Sequence, residues 1–86
     1  MSISEPLRTV LWKYCDVNAI ELSSRISERL DAITLSAFQA QLAAAIHSSS
    51  ISPEEYETLT NASYDTQEEL DDWLRSLYEV VFGERL

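Results

Sequence analysis

Glycine, proline and cysteine are scarce in this sequence, whose 86 residues include one Gly, two Pro and one Cys. β-Barrels and β-sandwiches need many tight turns that consume glycine, so its scarcity argues against both. The single cysteine, Cys15, excludes a disulfide framework and a cysteine-based metal cluster. No apolar run approaches the ~18 residues of a membrane-spanning helix, and residues 1–6 lack the features of a secretory signal. We therefore expect a cytoplasmic protein that has no membrane partner.

Basic residues are also scarce, because six Lys and Arg stand against 15 Asp and Glu and give a net charge of −9. Phosphate binding depends on Lys and Arg, so we expect no direct binding to nucleic acid. The excess charge is local. Residues 1–33 carry five acids and four bases, residues 34–52 carry neither, and residues 53–86 carry ten acids and two bases. This negative segment either keeps one surface solvated or attracts a basic protein partner.

Side chains that could act as a catalytic nucleophile, a general base or a metal ligand are few, which argues against an enzyme. His47 is the single histidine, and its place at the end of an apolar segment suits a cation at a helix C-terminus. Cys15 follows Tyr14 in an apolar segment and is expected to be a small core residue. The acids near the C-terminus lack the glycine-centred spacing of a calcium loop, and no Glu-x-x-His motif is present. We expect no catalytic residue, no metal and no cofactor.

Apolar residues, which make up 45% of the chain, recur at helical spacing in its first half. A first helix is expected after a cap at Ser4, and a second helix opens with a capping box from Asn18 to Glu21. Thr34 is the expected cap of a third helix over about 35–47. The three apolar stripes are Leu7, Val10, Leu11, Tyr14; Leu22, Ile26, Leu30, Ile33; and Leu35, Phe38, Leu42, Ala45, Ile46.

Capping signals are strongest in the second half of the chain. Ser52-Pro53-Glu54-Glu55 has the Ser, Pro and Glu of a capping box with proline at the first helical position, and it predicts a short helix that ends near Asn61. Thr66-Gln67-Glu68-Glu69 predicts a last helix over about 67–82, which Gly83 ends. The sequence therefore predicts an all-α fold, a compact antiparallel bundle of four to five short helices in a single domain over residues 1–86.

The third helix carries no charged side chain, and such a helix is seldom fully solvated. It either lies at the centre of the bundle or contacts another chain. Its alanines permit close helix approach, which favours internal packing. The alternative is a self-associating adaptor or regulatory module, a homodimer for example, that uses the uncharged helix over 34–47.

The acids of the last two helices are interleaved with tyrosines, which is a composition typical of specific protein interfaces. On the last helix, Asp72, Ser76 and Glu79 share one face, and Arg75 can neutralise part of the charge. We expect a partner-binding surface formed by Glu54, Glu55, Tyr56, Tyr64, Asp65, Glu68, Glu69, Asp71, Asp72 and Glu79. Its carboxylates could take the place of phosphates against Lys and Arg of a basic partner.

Two segments resemble the colicin D-type immunity proteins of bacteria. The first is Ala19-Ile20-Glu21-Leu22-Ser23-Ser24-Arg25-Ile26. The second is Ser63-Tyr64-Asp65-Thr66, followed by Leu70, Leu74-Arg75-Ser76-Leu77 and Glu79. The resemblance implies a small helical bundle that binds the nuclease domain of a bacterial toxin, or bacteriocin, and covers its basic active site with carboxylates. It assigns this role to Tyr64, Asp65 and the acids of the last helix.

Overall fold

The computed structural model describes residues 3–84, with the backbone alone described at 17–20. Within this range the chain forms α-helices and one 3₁₀ helix, and no strand is present. The elements are α1 (Leu7–Tyr14), a 3₁₀ helix (Val17–Arg25), α2 (Ile26–Arg29), α3 (Ala32–Ser48), α4 (Pro53–Thr60) and α5 (Gln67–Phe82). The prediction of an all-α fold built from short helices is confirmed.

The two long helices, α3 and α5, pack against each other in antiparallel orientation. Near one end, the rings of Phe38 and Phe82 lie 5.9 Å apart. Near the other end, the Ser49 hydroxyl donates a 2.7 Å hydrogen bond to Asp71. Helix α1 packs on α3 and on α4. The fully buried side chains at the centre of this arrangement include Leu11, Ile26, Phe38, Leu42, Tyr56, Leu70 and Leu74.

The helix boundaries in the second half agree with the capping signals. Ser52 caps α4 with both halves of the capping box, since its hydroxyl accepts from the Glu55 N–H and the Glu55 carboxylate accepts from the Ser52 N–H. The Thr66 hydroxyl accepts from the Glu69 N–H at the start of α5. Gly83 ends α5 with φ +67°, a left-handed conformation that glycine adopts without steric cost. All three boundaries confirm the sequence prediction.

The predicted second helix is wrong in type and in length. The segment that was expected to be one α-helix is a 3₁₀ helix followed by the single turn of α2, and the backbone of Leu30 is extended. Asp31, rather than Thr34, caps α3 by accepting from the Thr34 N–H. Ile33 consequently belongs to α3, where it is 83% exposed instead of buried. The Asn18 side chain, which was expected to open a capping box, lies outside the described residues.

The start of α1 is held by one local and one tertiary contact. Pro6, at the N-cap position, makes no capping hydrogen bond, but the neighbouring Glu5 carboxylate accepts from the Thr9 N–H at 3.1 Å. The Gln41 side chain of α3 accepts from the Leu7 N–H at 3.1 Å and donates to the Glu5 carbonyl oxygen at 2.7 Å. The expected cap at Ser4 is therefore wrong, because Glu5 and Gln41, the latter 34 positions after Leu7, satisfy free N–H groups of the first turn.

Among residues 3–84, no helix is both long enough and apolar enough to cross a membrane. The longest, α3, has 17 residues. Its apolar residues are divided between a buried side, formed by Phe38, Leu42, Ala45 and Ile46, and an exposed side that includes Ile33.

Candidate functional site

The outer face of α5 presents a row of carboxylates. Glu68, Asp72 and Glu79 lie on the same exposed side of the helix, because positions four and seven apart are separated by about one and two turns. The opposite side is buried through Leu70, Leu74, Leu77, Tyr78 and Val81. These three carboxylates are therefore exposed to water, as is the apolar side chain of Val80 beside Glu79. With Asp65 and Glu69, which are also exposed, they form what we call the acidic surface: Asp65, Glu68, Glu69, Asp72 and Glu79.

Among the described residues, one cation lies within the acidic surface. Arg75 approaches Asp72 at 3.5 Å, but both side chains are more than half exposed. Such an exposed pair contributes little stability, about 0–1 kcal/mol, and salt screens it. Glu68 and Glu69 occupy the first turn of α5, where the positive end of the helix dipole offsets their mutual repulsion. The local structure thus tolerates the acids, and most of their charge stays available to a partner.

Two of the predicted surface residues are in the interior. Tyr56 is fully buried, and its hydroxyl oxygen accepts a hydrogen bond from the Trp73 indole. Asp71 is 8% exposed, and its carboxylate accepts from Ser49 and Gln67. The expectation that both side chains lie on a partner-binding surface is corrected by these positions. Tyr56 is a core residue, and Asp71 ties the segment before α4 to α5.

The half-buried aromatic side chains beside the acidic surface are Tyr64 and Trp73. The Tyr64 ring packs edge-on against Tyr56 with 5.8 Å between ring centroids. Trp73 lies next to the buried stripe of α5, yet it is only half-buried. Both rings are therefore held in place from beneath by Tyr56 while part of each stays accessible, and partly exposed aromatic rings of this kind are typical anchors of protein interfaces.

Glu54 and Glu55, the two predicted acids at the start of α4, lie beside α1 rather than on the acidic surface. Glu55 is half-buried in its capping box, and Glu54 is exposed. Together with Ile3, Arg8, Thr58 and Leu59 they line a depression of about 270 Å³ between α1 and α4. Glu57, the third acid of α4, is also exposed. The structure therefore does not gather all ten predicted residues on one surface: Glu54 and Glu55 belong to the groove between α1 and α4.

The most exposed large apolar side chains were not predicted as surface features. Trp12 and Val80 are each 60% exposed, and Ile33 is 83% exposed. Trp12 lies off the apolar stripe of α1, which is the sequence signal for an exposed position. Ile33 gives no such signal in the sequence, because it continues the helical spacing of Ile26 and Leu30. In the structure the extended backbone at Leu30 ends α2, so Ile33 lies on a separate helix.

His47 and Cys15, the single histidine and the single cysteine, are not close to the acidic surface in sequence. His47 is exposed in the last turn of α3, and Cys15 is fully buried. Burial raises the pKa of the Cys15 thiol to about 12, which keeps it protonated. In the described part of the chain, no group of three or more His, Cys, Asp or Glu side chains could hold a metal ion. No protein-family model, no curated protein and no solved structure matches the chain.

Proposed function

We propose that this protein is a non-enzymatic binding protein, an immunity or inhibitor protein that neutralises a basic, nuclease-like bacterial toxin through the acidic surface. The observation that carries the proposal is the exposed row of Glu68, Asp72 and Glu79 on α5, with Arg75 as the cation beside it. The resemblance of the segments around Ser63–Thr66 and Leu74–Leu77 to colicin D-type immunity proteins supports the same function.

The physical mechanism is competition with the toxin's substrate. A nuclease holds nucleic acid phosphates with Lys and Arg, and carboxylates form charge-assisted hydrogen bonds with the same side chains. Clustered negative charge also accelerates association with a positive surface and makes that association sensitive to salt. Tyr64 and Trp73 add apolar contact area next to the carboxylates. The proposal places the protein in the cytoplasm, the compartment that a single reduced thiol suits.

The test begins with the open reading frame next to the gene, whose product should be a basic protein that is toxic when it is expressed alone. Co-expression of this chain should restore growth. The double variant Glu68→Lys and Asp72→Lys should slow association at low salt by at least about tenfold and reduce its salt dependence. Protection should fall accordingly.

The double variant Glu21→Lys and Glu28→Lys is the matched control, because it makes the same change in net charge at two exposed glutamates outside the acidic surface. It should leave association nearly unchanged. Equal effects of the two double variants would show that the acidic surface acts only through the net charge of the protein. If the Glu68→Lys and Asp72→Lys variant associated at the original rate, with unchanged salt dependence, the electrostatic mechanism would be overturned.

The exposed side of α3 supports a second candidate, a self-associating adaptor or regulatory module. Its exposed residues before His47 are uncharged: Ala32, Ile33, Ser36, Ala40 and Ala44. We infer that, if the chain forms a homodimer, Ile33 lies in the contact. Sedimentation equilibrium at micromolar concentration should then show a dimer that Ile33→Lys converts to a monomer. A monomer at all concentrations would contradict self-association and leave the acidic surface as the working hypothesis.

A further inference from the structure

A groove runs between α1 and α4, on residues distinct from the acidic surface. It consists of two adjoining depressions that share Arg8 and Leu59. The first, of about 270 Å³, is bounded by Ile3 and the start of α4. The second, of about 230 Å³, is bounded by Glu5, Thr9 and Trp12. Neither helix covers the groove, because each turns its most apolar side toward the core.

The size and arrangement of the depressions favour two side chains of a protein partner over a single small molecule. Each is smaller than the ~300 Å³ at which pockets for drug-sized ligands begin. Arg8 lines both depressions, and Trp12, one turn further along α1, lines the second alone, so the depressions follow one another along this helix. Two apolar side chains on one face of a partner helix would fit this arrangement, as in other helix-in-groove complexes. Trp and Arg are also among the residues that most often dominate interface energies.

The charged side chains that line the groove favour a basic partner. Among the described residues that line it, Arg8 is the one cation, and Glu5, Glu54 and Glu55 contribute three carboxylates. Hydrogen bonds from Thr9 lower the pKa of the Glu5 carboxyl, so this carboxylate is ionised at neutral pH. A second copy of this chain, with a net charge of −9, would bring like charges together. Basic side chains at the edges of the partner would be attracted instead.

We propose that the groove between α1 and α4 binds an amphipathic helix of another protein, with apolar side chains one turn apart flanked by Lys or Arg. Trp12 and Leu59 contact the apolar side chains, and Glu5 and Glu54 attract the basic ones. This inference goes beyond the proposed function, because it uses none of the residues of the acidic surface.

Three synthetic peptides of about 15 residues test the proposal in titrations of the full chain followed by ¹H–¹⁵N spectra. The first has two leucines one turn apart and flanking lysines. The second replaces the lysines with glutamates. The third keeps the composition of the first but scrambles its order, which removes the apolar face. The first should bind weakly, with a Kd on the order of 0.1–1 mM, and shift resonances of Trp12 and Leu59. The other two should bind at least about tenfold more weakly.

Variants of the chain locate the binding. Trp12→Ala should weaken binding of the first peptide at least about tenfold, since a central aromatic contact is lost. Ile33→Ala is the matched control, because it removes an even more exposed apolar side chain that does not line the groove. Glu54→Lys should weaken binding of the lysine peptide and strengthen binding of the glutamate peptide. Both alanine variants should keep the original thermal midpoint, which shows that they fold.

Three results would overturn the proposal. If the scrambled peptide bound equally well, the interaction would depend on net charge and not on an apolar helix face. If the glutamate peptide bound equally well, the carboxylates of the groove would not select a basic partner. Shifts confined to α5, around Glu68 and Asp72, would place a basic peptide on the acidic surface instead of in the groove. That last result would contradict the groove while leaving the proposed function intact, so the two proposals fail separately.

Discussion

The indole Nε1 of Trp73 donates a 2.7 Å hydrogen bond to the hydroxyl oxygen of Tyr56, and this contact joins α5 to α4. Tyr56 is fully buried, and burial is the main reason that its pKa lies far above the usual value. A buried hydroxyl needs a partner, and the Trp73 indole supplies one. The same bond fixes the orientation of a half-buried ring beside the acidic surface, so the core and the candidate site share this contact.

Removal of the Tyr56 hydroxyl should therefore destabilise the fold. Tyr56→Phe keeps the ring but leaves the Trp73 N–H without its acceptor, and we expect a loss of about 1 kcal/mol in the free energy of unfolding. Urea denaturation followed by circular dichroism measures this loss. Tyr64→Phe is the control, because within the described residues the Tyr64 hydroxyl takes part in no hydrogen bond while its ring contacts Tyr56. Equal stability of the Tyr56→Phe variant and the original protein would contradict the prediction.

The second half of the fold could be predicted because its signals are local. Ser52, Thr66 and Gly83 each act within four residues of their own position, so the sequence alone identifies the boundaries of α4 and α5. The start of α1 depends in part on Gln41, which no local pattern reveals. The break at Leu30 was also missed, because apolar residues on both sides of it continue the same spacing.

The negative charge of the candidate site could be predicted from the sequence, but its geometry could be predicted only in part. The exposed acids of α5 follow from helical periodicity once the buried stripe is known. The same periodicity cannot show that a polar residue such as Asp71 finds donors on another segment and becomes buried. The groove between α1 and α4 was invisible to sequence analysis, because it exists only where two distant segments pack. Among its residues, Trp12 carries a sequence signal, because it lies off the apolar stripe of α1.

The adjacent acids Asp71 and Asp72 should behave differently when each is replaced by alanine. Asp71 is buried and accepts hydrogen bonds from Ser49 at 2.7 Å and from Gln67 at 3.0 Å, so Asp71→Ala should cost about 2 kcal/mol of stability. Asp72 is exposed and pairs with Arg75 at the surface, so Asp72→Ala should stay within about 0.5 kcal/mol. Urea denaturation of both variants checks this contrast. A smaller loss for Asp71→Ala than for Asp72→Ala would show that the interior placement of Asp71 is wrong.

The capping box of α4 offers a test of local structure. Ser52→Ala removes the hydroxyl that accepts from the Glu55 N–H, and we expect a loss of about 1 kcal/mol. Ser63→Ala makes the same chemical change at an exposed position between the helices and should have almost no effect. Hydrogen exchange should show the loss first at the amides of the first turn of α4. Unchanged protection there in Ser52→Ala would mean that the cap contributes nothing to the start of the helix.

The buried thiol of Cys15 should make stability fall at alkaline pH. Desolvation raises its pKa from 9.0 to about 12 in the folded protein. In the unfolded chain the thiol releases its proton near the lower value, whereas the folded chain retains it. A group with a raised pKa stabilises the fold fully below its unfolded pKa and loses that contribution as the pH rises. Between about pH 8 and pH 10 this group alone should remove about 1.4 kcal/mol of stability.

Cys15→Ala isolates this effect, because alanine has no proton to release. The variant loses some packing at every pH, but its stability should decline less than that of the original protein between about pH 8 and pH 10. Tyr56 and Tyr64 are present in both proteins, so their raised pKa values affect both curves and largely cancel in the comparison. Urea denaturation at several pH values gives both curves. Parallel curves would show that the thiol titrates alike in the folded and unfolded chains, against the burial that the structure assigns to it.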